Sequence, residues 1–107
     1  MIIIEVIKLV EWKTCLVCGY KGLEEPPYDA LGNSSFEICS CCGFQFGLDD
    51  EDRDYSKEEL YKSYREDWIK DGSKPFSESF PNHLIDLNGS LKAPVLHEQL
   101  KALEMIP

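Results

Sequence analysis

Residues 2–12 are apolar on both faces of an extended chain: Ile2, Ile4, Val6 and Val10 fall on one side, Ile3, Ile7 and Leu9 on the other. A run rich in β-branched residues, with no glycine or proline, predicts a strand. A strand apolar on both faces needs cover on both. We expect it inside the fold, with a dimer formed through this strand as the alternative. Farther along, residues 35–38 predict a short strand leading into a cysteine turn, and residues 44–46 lead out of it. Between 23 and 35, Pro26-Pro27 and Gly32-Asn33 mark a loop.

The pattern then changes period. Leu60, Tyr61, Tyr64, Trp68 and Ile69 recur at helical spacing, which predicts a helix with one apolar stripe. Ser56, with Glu59 three positions on, has the form of a capping box. Gly72 can close the helix in the left-handed conformation. Such an aromatic stripe is expected to be core rather than a binding platform. Residues 73–93 read as irregular. Pro94 is expected to open a last helix that buries Val95, Leu96, Leu100 and Leu103.

Cysteine spacing adds the chemistry. Cys15 and Cys18 form one Cys-x-x-Cys pair and Cys39 and Cys42 another, each followed at once by glycine, Gly19 and Gly43. Zinc takes four thiolates at the corners of a tetrahedron. A Cys-x-x-Cys-Gly turn can supply two of them, because glycine permits the positive backbone torsion at which the chain turns away. Two such turns predict one structural zinc held by Cys15, Cys18, Cys39 and Cys42. Iron fits the same four-thiolate geometry, and zinc is the expected occupant. A thioredoxin-like redox pair would need a βαβ setting that the pattern lacks. Cys41 is out of register and is expected to be a spare thiol; a resolving thiol that releases metal on oxidation is the alternative. A complete four-cysteine set leaves His83 and His97 without a ligand role.

Charge narrows the partners. The 107 residues carry 20 acidic and 11 basic side chains, a formal net charge of −9. Nucleic-acid affinity rests on cations that neutralise phosphates, so nucleic acid is disfavoured, as is an anionic membrane surface. A protein partner, basic in character, suits the field better. The apolar start carries no basic leader and is interrupted by Glu5 and Lys8, and the cysteine count is odd. Together these favour a reducing cytoplasm over a secreted disulfide scaffold. The acidic run at residues 48–54 invites a calcium reading. Counting from Asp50, however, tyrosines occupy the places where an EF-hand loop needs glycine and glutamate, so a solvated acidic loop is expected.

At residues 15–54 the chain resembles the small bacterial cysteine-rich proteins of the CPCC type. The likeness rests on Cys15-Leu16-Val17-Cys18-Gly19-Tyr20, on Phe36-Glu37-Ile38-Cys39, and on Cys42, Phe44 and Asp49-Asp50. It departs in the first turn, where Leu16 and Val17 stand instead of proline, and in the adjacent Cys41-Cys42. The resemblance implies metal binding and no settled activity.

These expectations combine into one α+β domain over residues 1–107. A small zinc ribbon with rubredoxin-like knuckles would span about 12–48, with an N-terminal strand, and one or two packed helices would span about 56–107. No nucleophile–base pair, phosphate loop or HExxH motif is present in the sequence. Four thiolates leave no open metal position for catalysis. The reading is therefore a zinc-bearing acidic interaction module. A metal- or thiol-dependent enzyme or redox carrier, and a nucleic-acid-binding zinc ribbon, are the alternatives.

Overall fold

A computed structural model of the chain describes residues 13–104. The strand expected over 2–12 lies outside the described residues. Within them the regular elements are α1, Lys57–Lys70, a 3-10 turn at Asn82–Leu84, and α2, Ala93–Glu104.

The described residues do not form the expected α+β zinc ribbon. Among the described residues there is no strand, only three isolated antiparallel bridges: Tyr28 with Ser34, Ile38 with Gln45, and Ile85 with Leu91. The physical reason lies at both ends of the expected strand at 35–38. Phe36 sits at φ +58°, in the left-handed region, so the extended run breaks there. Just beyond it, the Cys39 N–H donates to Phe44 O at 2.9 Å and the Gly43 N–H to Cys39 O at 2.8 Å. The backbone groups that would have built a ladder close a turn instead.

Helix α1 starts as its sequence dictates. Ser56 Oγ accepts the Glu59 N–H at 3.1 Å, and Glu59 Oε1 accepts the Ser56 N–H at 3.3 Å. It ends with the Gly72 N–H on Ile69 O and the Ser73 N–H on Trp68 O, both at 3.0 Å, with Gly72 at φ +107°. That double return is the Schellman arrangement, which satisfies carbonyls left open at a helix end. The buried side of α1 differs from the expected stripe. Tyr61 and Trp68 are buried and Tyr64 half-buried, while Ile69 faces solvent and Arg65 takes a half-buried place beside Tyr64.

The aromatic residues of α1 pack on those that leave the second cysteine turn. Phe44 meets Phe46, Tyr61 and Tyr64 at ring separations of 5.0, 5.5 and 5.1 Å. The tilted and edge-on angles are the ones aromatic pairs favour. On the other side, Tyr20 of the first turn packs on Phe80 at 5.1 Å. The cysteines, Phe44, Phe46, Trp68, Phe80 and Leu91 belong to one buried cluster. In α2, Val95, Leu96, Leu100 and Leu103 are only half-buried, and the buried residue is Gln99.

Candidate metal centre

The two cysteine turns share one backbone pattern. In the first, the Cys15 N–H donates to Tyr20 O at 2.8 Å and the Gly19 N–H to Cys15 O at 2.9 Å. In the second, Cys39 with Phe44 and Gly43 with Cys39 repeat these bonds at 2.9 and 2.8 Å. Gly19 and Gly43 sit at φ +81° and +86°, where a side chain would be strained. At Gly19 a Cβ would also lie 2.0 Å from Gln99 O, so the turn and α2 touch through bare backbone.

These turns bring the sulfurs of Cys15, Cys18, Cys39 and Cys42 within 4.8 Å of one another, all buried. Cys15 Sγ lies 3.7 Å from Cys42 Sγ, and Cys18 Sγ 3.7 Å from Cys39 Sγ. A disulfide needs about 2.05 Å, and all the cysteines are free thiols. A tetrahedron of thiolates about 2.3 Å from a central zinc has sulfur–sulfur edges of about 3.8 Å. Both close contacts therefore match a four-coordinate metal and neither matches a bond. The Val17 N–H points at Cys15 Sγ at 3.4 Å, where it offsets negative charge.

Electrostatics lead the same way. Burial pushes the Cys18 thiol well above its ordinary range. Cys42 is also raised, first by its contact with Cys15, whereas Cys39 is held far below its ordinary value, first by its contact with Cys15. Thiolates crowded into one buried volume repel one another and lose their hydration. Only a central cation allows all four to ionise together.

The turns are also held from outside, carbonyl by carbonyl. In the first, Arg65 of α1 donates through Nε to Val17 O at 2.5 Å and through Nη2 to Leu16 O at 3.2 Å. In the second, the corresponding oxygens of Ser40 and Cys41 accept backbone N–H groups of residues 76–77, the Phe76 N–H at 3.1 and 3.0 Å and the Ser77 N–H at 3.0 Å. Cys18 O accepts Gln99 Nε2 at 3.0 Å, and Cys42 O accepts the Tyr64 hydroxyl at 3.1 Å. Burial and the field of Cys42 push Tyr64 up to about 12, so its hydroxyl stays a donor. With Cys15 O and Cys39 O closed by the glycines, every carbonyl of both four-residue turns has a donor. Sulfur positions are thereby fixed through the backbone from which they hang.

Cys41 lies outside the four-sulfur group. It is fully buried, and Gln99 Nε2 reaches its sulfur at 3.6 Å. His83 and His97 are exposed and are not part of the group. One residue of the acidic run departs from the solvated loop expected of it: Asp50 is only 2% exposed. Its carboxylate accepts the Gly47 N–H at 2.8 Å and the hydroxyls of Tyr28 and Tyr61, with Lys57 Nζ at 3.9 Å. Lys57 bonds Tyr28 as well, at 3.1 Å. This network ties the loop after the second turn to the start of α1.

Sequence reasoning singled out the four cysteines and missed Arg65, Gln99 and Asp50. A signal existed for the first two. Arg65 falls within the register of Tyr61, Tyr64 and Trp68, and Gln99 within that of Val95, Leu96 and Leu103. A polar residue set in an apolar stripe marks a buried partner.

No helix among the described residues is long and apolar enough to cross a membrane. No family model matches the chain, and no solved structure matches it. Over 103 residues it is 36% identical to the uncharacterized protein YoaQ of Bacillus subtilis (strain 168), with 86% of each chain covered. Over 105 residues it is 36% identical to the uncharacterized protein YozI of the same organism, covering 86% of this chain and 85% of the relative. Identity at this level across most of both lengths means that the chain belongs to the family of YoaQ and YozI.

Proposed function

We propose that Cys15, Cys18, Cys39 and Cys42 hold one structural zinc ion, and that the metal-fastened body is an acidic module that binds another protein. The observation that carries the first part is the four buried sulfurs with 3.7 Å close contacts. Zinc is preferred to iron as the commoner occupant of a closed four-cysteine site. A reducing cytoplasm, where thiols stay available to metal, suits this chemistry, and the likeness to CPCC-type proteins points the same way. The second part is supported by the net charge of −9 and by a closed ligand set that leaves no metal position for a substrate. A basic protein surface is the partner this charge favours, and nucleic acid the least suited.

The test is metal content of protein purified under reducing conditions without added metal, alongside capture of partners from the native host at low and high salt. The expected result is one zinc per chain, and a partner retained at low salt and released at high salt. Protein without metal would end the first part; no salt-sensitive partner would end the second.

A further inference from the structure

The first cysteine turn and the start of α2 leave a groove between them. Tyr20, Gly22, Leu84, Pro94 and Val95 line it, and its volume is about 430 Å³. Gly19 and Gln99 line it too, where turn and helix meet through bare backbone. Tyr20, Leu84 and Val95 pack against the buried cluster on one side and stay half-buried on the other. Val95 belongs to the aliphatic side of α2, which remains half-buried at Leu96, Leu100 and Leu103 as well. The charged residues at the groove are Lys21 and Glu98, both exposed and of opposite sign.

The backbone shows where the chain enters this region. Lys13 O accepts the Leu23 N–H at 3.3 Å, and Tyr20 O accepts the Cys15 N–H at 2.8 Å. Residues 13–15 therefore lie back along residues 20–23, which include three groove residues, Tyr20, Lys21 and Gly22. The segment that precedes Lys13 starts beside Leu23, one residue from Gly22. Residues 2–12 lie outside the described residues, but their composition is known. Residues 2–10 hold seven aliphatic side chains and one charge of each sign, Glu5 and Lys8. Aliphatic surface of that extent is driven out of water.

We propose that residues 2–10 occupy this groove in their own chain, and so fasten the first cysteine turn to α2. Groove and segment match in character, both apolar with one cation and one anion. The eleven residues before Lys13 reach up to about 36 Å when extended, ample for a groove that begins beside their point of entry. A tether this short holds the segment at roughly millimolar local concentration, against which a separate chain must compete. The balanced charge at the groove gives a basic partner no purchase there, so this site is separate from any surface that uses the net charge of −9.

The test is photo-crosslinking in the full chain, with the crosslinked residues mapped by mass spectrometry. The photoreactive residue p-benzoylphenylalanine replaces Ile4 in one sample and Ile7 in another, which are opposite faces of an extended chain. A third sample carries it in place of Leu87, whose side chain is fully exposed. At least one of the first two probes should mark residues 20–22, Leu84 or residues 94–99 of its own chain, and the Leu87 probe should mark none of them. Val95→Arg should cut that yield about fivefold or more, because it sets a charge in the path of an apolar segment. Pro94→Arg should do the same at an exposed groove residue, where the packing beneath is left alone. Circular dichroism of each variant checks that the fold is kept. Probes at Ile4 and Ile7 that mark only other parts of the chain, or nothing, would overturn the proposal. So would crosslinks between two chains whose yield falls on dilution, which would make a second copy the occupant. A folded Pro94→Arg variant with undiminished yield would overturn it as well.

Discussion

Arg65 and Gln99 have no place in a ligand list, yet each closes a carbonyl that the cysteine turns leave open. Replacing Arg65 by Met removes both donors and strands Leu16 O and Val17 O, which are held at 3.2 and 2.5 Å. Buried groups left without partners cost on the order of 1–3 kcal/mol each. We expect Arg65→Met to lose about 2–3 kcal/mol in urea unfolding, and to surrender metal to a chelator faster than the parent. Arg65→Lys should recover only part of this, since an ammonium lacks the planar fork. Gln99→Leu, matched in bulk, should lose about 1–2 kcal/mol by stranding Cys18 O. Parent-like stability in both variants would show that the carbonyl cradle contributes nothing.

At this scale the cysteines were legible because Cys-x-x-Cys-Gly encodes a local geometry. Arg65 and Gln99 escape a local reading because a polar residue on a helix is ordinarily assigned to solvent. Asp50 was hidden for another reason. Its partners Tyr28 and Tyr61 come from distant parts of the chain, and no local spacing announces them.

The elements divide in the same way. Helix α1 was readable at both ends, since Ser56, Glu59 and Gly72 act within a turn of their own positions. Ser56→Ala should therefore cost about 1 kcal/mol, measured by thermal or urea unfolding, with metal content unchanged. A loss of metal in that variant would mean that the start of α1 matters to the sulfur cluster as well as to the helix. The short strands were not readable. Residues 35–38 have strand composition, but the turn at Cys39 and the left-handed Phe36 leave the single bridge from Ile38 to Gln45. Composition records what a backbone prefers; it does not record the hydrogen bonds that a cysteine turn claims first.

For the whole molecule, the described residues offer two helices and few ladder bonds to resist unfolding. Much of the buried cluster is the cysteines themselves together with the rings packed about the turns. Metal binding in structural zinc sites is worth about 10–16 kcal/mol, comparable with the about 5–15 kcal/mol that stabilises a typical domain. A strong chelator under reducing conditions should therefore unfold the chain cooperatively, seen as loss of near-ultraviolet circular dichroism, and added zinc should restore it. A signal unchanged by complete metal removal would show that the aromatic packing of α1 suffices without the ion.

The most direct measurement is X-ray absorption at the metal edge of protein purified without added metal. Four-thiolate coordination predicts one zinc per chain with four sulfur neighbours at about 2.3 Å and no oxygen or nitrogen bound to it. A shell of fewer than four sulfurs, or a metal-free protein with sulfurs joined at about 2.05 Å, would contradict it.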